Sequence, residues 1–87
     1  MKTDLRQSVS ITLRFPVTVD GLSHDTLTIR RPKMRDVMAA AKAPGVPLER
    51  EAFLLARLCD VSPDVIEELD ETDASTLAVQ LEAFRSK

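Results

Sequence analysis

Apolar and polar residues alternate from Ser8 to Val19. Val9, Ile11, Leu13, Phe15, Val17 and Val19 fall on one side of an extended chain, and Ser8, Ser10, Thr12, Arg14, Pro16 and Thr18 on the other. Six apolar positions at period two predict a half-buried strand. Pro16 has no N–H to give to a ladder, so the strand is expected to lie at a sheet edge there, or to bulge. Asp20-Gly21 starts a turn. Leu27 and Ile29, alternating with Thr26, Thr28 and Arg30, predict a second strand, which leaves His24 in the turn. A hairpin with one apolar face is marginal alone in water, so helices must cover it.

The period then changes. Pro32 closes the second strand and biases Arg31 away from helix. Met34, Val37, Met38 and Ala41 stand at i, i+3, i+4 and i+7, one face of a short helix. Ala43-Pro44-Gly45-Val46-Pro47 is the one loop rich in breakers. Leu48 to Cys59 predicts a second helix, apolar along Leu48, Ala52, Leu55 and Cys59. Ser62-Pro63 suits the cap and first turn of a third, carrying Val65, Ile66 and Leu69. Thr72 or Asp73 is expected to cap a fourth, with a stripe through Ala74, Leu77, Ala78, Leu81 and Phe84. The predicted class is α+β, an N-terminal β-hairpin followed by three or four short helices. Residues 1–87 are expected to form a single domain, with the hairpin at about 8–31 and the helical part at about 33–86.

Composition narrows the picture. With three Phe and no Trp or Tyr among 87 residues, the core must be built from aliphatic side chains. A single cysteine, Cys59, excludes an internal disulfide and, with no signal peptide visible, points to the cytoplasm. No apolar run approaches the ~20 residues of a membrane span. Net charge is −2 but uneven: residues 1–43 carry +4 and residues 44–87 carry −6. That polarity suits a head-to-tail contact or a charged partner.

Catalytic chemistry finds no support in the spacing. His24 is the only histidine, Cys59 falls on a buried helix face, and no serine has a nucleophile-elbow context. The acidic run through Glu67, Glu68, Asp70, Glu71 and Asp73 lacks the glycine and spacing of a calcium loop. No enzyme activity, cofactor or metal is expected. Ala56 to Leu69 imitates a helix-turn-helix DNA reader. Its second helix, however, offers Asp64, Glu67 and Glu68 where a recognition helix presents Arg, Lys, Asn or Gln. Nucleic acid is therefore not an expected partner, although a small DNA-binding regulator remains an alternative reading.

Candidates for contact with another chain are Arg30, Arg31 and Arg35 at the strand–helix junction, where Lys33 adds charge and Asp36 partly neutralises it. Phe53, Leu54 and Val79 join them because they stand off their helices' apolar stripes. Met34 and Met38 could form part of an adaptable groove, but core filling is their expected role. The free edge of the long first strand offers strand addition as a second route.

The order of these signals resembles one family. Pro16-Val17-Thr18-Val19-Asp20-Gly21, Leu27-Thr28-Ile29-Arg30-Arg31-Pro32, and Asp36 with Ala39 to Ala41 follow its opening. Glu49-Arg50-Glu51, Leu54-Leu55-Ala56-Arg57-Leu58, Ser62-Pro63 and Leu69-Asp70 follow its later helices. Together they are similar to the short tail assembly chaperones of contractile-tailed bacteriophages, the group often labelled E, 41 or 14. Residues before the first strand, and Cys59 where a plain small or apolar residue is expected, depart from the pattern. The resemblance implies a non-enzymatic holdase in the cytoplasm of the bacterial host, absent from the finished virion. By that resemblance it is expected to keep the long, largely helical tape measure protein soluble during tail assembly. A programmed frameshift that adds a second domain to some chains would make the extended form another partner. In that phage or prophage setting the alternatives are a small prophage DNA-binding regulator and a structural tail or adaptor protein, and oligomeric state is left open.

Overall fold

The computed structural model describes residues 8–86. Strands β1 (Ser8–Val19) and β2 (Leu22–Arg30) form a two-stranded antiparallel sheet, followed by helices α1 (Met34–Lys42), α2 (Pro47–Cys59), α3 (Pro63–Glu68) and α4 (Glu71–Arg85). The expected α+β order of hairpin then helices holds, with four helices.

Asp20 and Gly21 turn the hairpin with φ of 52° and 80°. Two consecutive positive φ values are what a two-residue loop between right-twisted strands requires, and Asp-Gly tolerates them. β2 starts directly after this turn, so His24 pairs with Val17 inside the ladder rather than lying in a longer loop. The expected bulge is large. Thr12 pairs with Thr26 and Val17 with His24, so Leu13 to Pro16 oppose Asp25 alone. This slip breaks the alternation: Leu13 is buried, whereas Phe15, predicted to point inward, is 55% exposed.

The core joins Leu13, Leu27 and Ile29 of the hairpin to side chains from every helix. α2 is the central helix, packed against α1, α3 and β2. Its second half buries Leu54, Leu55, Ala56, Leu58 and Cys59, most of the way round rather than along one stripe. Leu48, expected on that stripe, is 76% exposed. α4 lays Leu77, Leu81 and Phe84 into the core as expected. Phe84 is the one fully buried aromatic side chain among the described residues.

Local chemistry sets the ends. Gly45 has φ +107°, and a Cβ there would collide with the Glu49 carboxylate, which accepts the Val46 N–H at 2.9 Å and starts α2. Asp60, in the left-handed region, closes α2. Asp70, not Thr72 or Asp73, caps α4 and accepts the Thr72 N–H at 3.0 Å. Its carboxyl is held below its ordinary value by the Thr72 hydroxyl first and the Thr72 amide second. Asp73 is used elsewhere. It is buried, and its two oxygens accept the Arg14 and Phe15 amides at 2.9 and 3.1 Å, fastening α4 to the bulge of β1.

Candidate binding surface

A buried carboxylate decides which way α1 faces. Asp36 stands in the first turn of α1, where an acid suits the helix dipole, and accepts the Lys33 N–H at 2.7 Å. Arg30, at the end of β2, grips the same carboxylate with both terminal nitrogens at 2.7 and 2.9 Å. Arg57 of α2 adds its Nε at 2.7 Å. Asp36 is wholly buried while both arginine side chains are partly exposed, so the charge is paired inside and the heads stay wet. The Arg30 hydrogen bonds, then those from Lys33 and Arg57, hold the carboxyl far below the carboxylate range against the opposing effect of burial.

With Asp36 and Ala40 turned inward, the apolar stripe of α1 faces out. Met34 is 73% exposed, Met38 50% and Val37 37%, and Ala41 is exposed beside them. This corrects the expected core role of the two methionines. The inward helix face instead carries an acid and a small residue, because α1 is held to its neighbours by an ion cluster and needs room to approach α2.

Two open clefts flank α2. The first, about 490 Å³, lies among α1, α2 and α4, with Val37, Ala40, Ala41, Leu54, Ala78 and Leu81 as its apolar lining. Arg50, Glu51, Glu82 and Arg85 give it a mixed rim. The second, about 510 Å³, lies among α2, α3 and α4. Its floor is Leu48, Ala52, Leu55, Ile66, Leu69, Ala74 and Ala78. Its rim is one-signed: Glu49, Glu51, Glu67 and Glu71, with no Lys or Arg in the lining.

The six residues singled out from sequence do not converge on one patch. Arg30 is committed to Asp36, Arg31 is half-buried, and Arg35 is exposed. Phe53 is half-buried against the core, and Leu54 is 6% exposed in the first cleft. Val79 stands out on α4 at 69% exposure. The α1 stripe and the acid-rimmed cleft are instead contiguous apolar surfaces. The stripe was visible as a period-3.6 pattern, but its direction was not. The cleft combines three helices and has no local signal.

Cys59 lies in the core at 8% exposure, and burial pushes its thiol up to about 11. No group of three or more His, Cys, Asp or Glu among the described residues could hold a metal ion. No helix among them is long and apolar enough to cross a membrane.

An exposed amphipathic helix beside apolar clefts is the kind of surface that protein-binding modules carry. The chain belongs to the phage tail assembly chaperone proteins, E, or 41 or 14, whose family model matches residues 10–86. That membership implies a protein partner in tail assembly. No curated protein and no solved structure matches the chain.

Proposed function

We propose that this chain is the assembly chaperone of a contractile-tailed phage or prophage, and that it binds the tape measure protein and keeps it soluble until the tail tube surrounds it. The observation that carries the reading is the stripe Met34, Val37, Met38 and Ala41, turned outward by Asp36 and running into the first cleft at Val37 and Ala41. A long helical client carries apolar stripes of its own, and a groove takes such a stripe through anchors at i, i+3, i+4 and i+7. Methionines adapt to varied anchors, which suits a client with many similar helical segments.

In this reading Arg35, beside the stripe, steers acidic stretches of the client, Leu54 supplies the cleft floor, and Phe53 and Val79 extend the apolar contact. Arg30 and Arg31 shape the junction from which α1 springs. The role is non-enzymatic. Residues 1–87 act as one unit in the host cytoplasm and leave before the virion is complete, and a frameshift-extended form of the chain is a second partner. DNA binding is not proposed: α3 has six residues and exposes Asp64, Glu67 and Glu68.

Co-expression with the tape measure protein encoded nearby tests the reading. The long protein is expected in the soluble fraction only when this chain is present, and the two are expected to co-purify. Met38→Asp, at an exposed position, is expected to abolish both effects while the chain remains folded. Unchanged solubility with no co-purification refutes the holdase role, and recovery of the chain from purified tails replaces it with a structural one.

A further inference from the structure

Two surfaces of this chain complement each other and cannot meet within one copy. The first is the outward face of α1, a convex ridge of Met34, Val37, Met38 and Ala41 with Arg35 and Lys42 alongside. Arg35 and Lys42 are seven residues apart, two helical turns, and so stand on one side of the ridge. Among the described residues neither has an ion-pair partner. The second surface is the acid-rimmed cleft among α2, α3 and α4. Of its rim, Glu49 is engaged with the Val46 amide. Glu51, Glu67 and Glu71 have no ion-pair partner among the described residues. Its floor at Ala52, Ala74 and Ala78 is low enough for a helix to come close.

We infer that the α1 ridge of one copy docks in the α2–α3–α4 cleft of a second copy, apolar ridge on apolar floor and Arg35 and Lys42 on the glutamate rim. Charge complementarity selects this occupant. A ridge with two unpaired cations fits a cleft whose charged residues are all carboxylates, whereas the mixed rim of the first cleft selects neither sign. The ridge and this cleft lie on different flanks of α2, so the contact is heterologous and a docked pair keeps one free half of each kind, a cleft on one copy and a ridge on the other. Such an interface grows head to tail rather than stopping at a symmetric pair. The unequal charge of the two halves of the sequence is then the sign of a chain that recognises itself.

The contact is small. Nine residues of helix are about 13 Å long, well short of what buries the ~1,200–2,000 Å² of a stable complex. Association is therefore weak, reversible and visible only at high concentration. Val37 and Ala41 belong both to the ridge and to the first cleft, so a helix seated in the first cleft competes with the second copy.

Sedimentation equilibrium of the purified chain alone tests the inference. The weight-average mass is expected to rise above the 9.7 kDa of one chain as concentration increases, and to fall back near 1 M salt, where screening acts within about 3 Å. Met38→Asp removes the ridge and Glu67→Lys with Glu71→Lys reverses the rim. All three positions are exposed, so circular dichroism is expected to show unchanged folding. Each variant alone is expected to remain a monomer. Mixed at equal concentration, they are expected to form a one-to-one dimer, because each supplies the half that the other lacks. A wild-type chain that stays monomeric throughout overturns the inference and leaves the cleft to a foreign basic helix. Association that neither variant weakens assigns it to another surface. Two monomeric variants that fail to complement each other overturn the head-to-tail geometry.

Discussion

Asp36→Asn keeps the shape of the side chain and removes its charge, so it isolates the ion cluster from packing. In the folded chain this carboxylate accepts four hydrogen bonds, two from Arg30 and one each from Lys33 and Arg57, all between 2.7 and 2.9 Å. Removing one member of a buried ion pair costs about 3–5 kcal/mol. Arg30 and Arg57 are 29% and 38% exposed and can turn to water, which places the loss near the lower end, about 3 kcal/mol. For a small domain with a urea slope near 1 kcal/mol/M, the unfolding midpoint falls by roughly 3 M.

The pH dependence is the sharper test. The folded pKa of Asp36 is depressed, so its contribution is fully present above the unfolded value of about 3.9 and is lost as pH falls toward the folded value. The difference between wild type and Asp36→Asn should therefore be constant from pH 5 to 7. It should narrow by about 1 kcal/mol by pH 3, because the unfolded chain takes up a proton that the folded one refuses. Urea titrations of both proteins at matched pH measure this directly. A loss below 1 kcal/mol at pH 7, or a difference that does not narrow by pH 3, refutes the claim that this carboxylate organises the junction of β2, α1 and α2.

Asp73→Asn is expected to cost about 1.5–3 kcal/mol by urea titration, because the two backbone amides address different oxygens and the new NH2 would face one of them. Phe84→Ala removes a fully buried ring and is expected to cost about 3–5 kcal/mol, read as a lowered melting temperature. Cys59 is expected to react with a disulfide reagent at pH 8 roughly a hundredfold slower in the folded chain than in denaturant, from thiolate fraction alone. Met38→Ala, half exposed, is expected to change stability by less than about 0.5 kcal/mol in the same titration.

Much of the fold was legible because its signals are local. The alternation around Leu13, the Asp20-Gly21 turn, Pro32 and Ser62-Pro63 each act within a few residues, and they placed the hairpin and the helices. What failed depended on distance. The pattern Met34, Val37, Met38, Ala41 has the right period for a buried face, and only the pairing of Asp36 with Arg57, 21 residues away, turns it outward. Asp73 reads as a helix cap until a bulge 58 residues earlier claims it. Leu54 stood off its expected stripe because α2 is central, and a central helix buries several faces. The second cleft needs three helices together, and no window of sequence holds them.

The bulge of β1 has a further consequence. Arg14 and Phe15 give their amides to Asp73, and Pro16 has none, so three successive positions in mid-strand offer no donor to an incoming chain. Strand addition along β1 is interrupted there, although the length of the strand invited it. A protein with exposed apolar side chains is open to amyloid-like stacking of its own copies. Here most of the exposed large apolar side chains stand on helices, Phe15 and Leu22 being those on the strands, and the middle of β1 is kept mute.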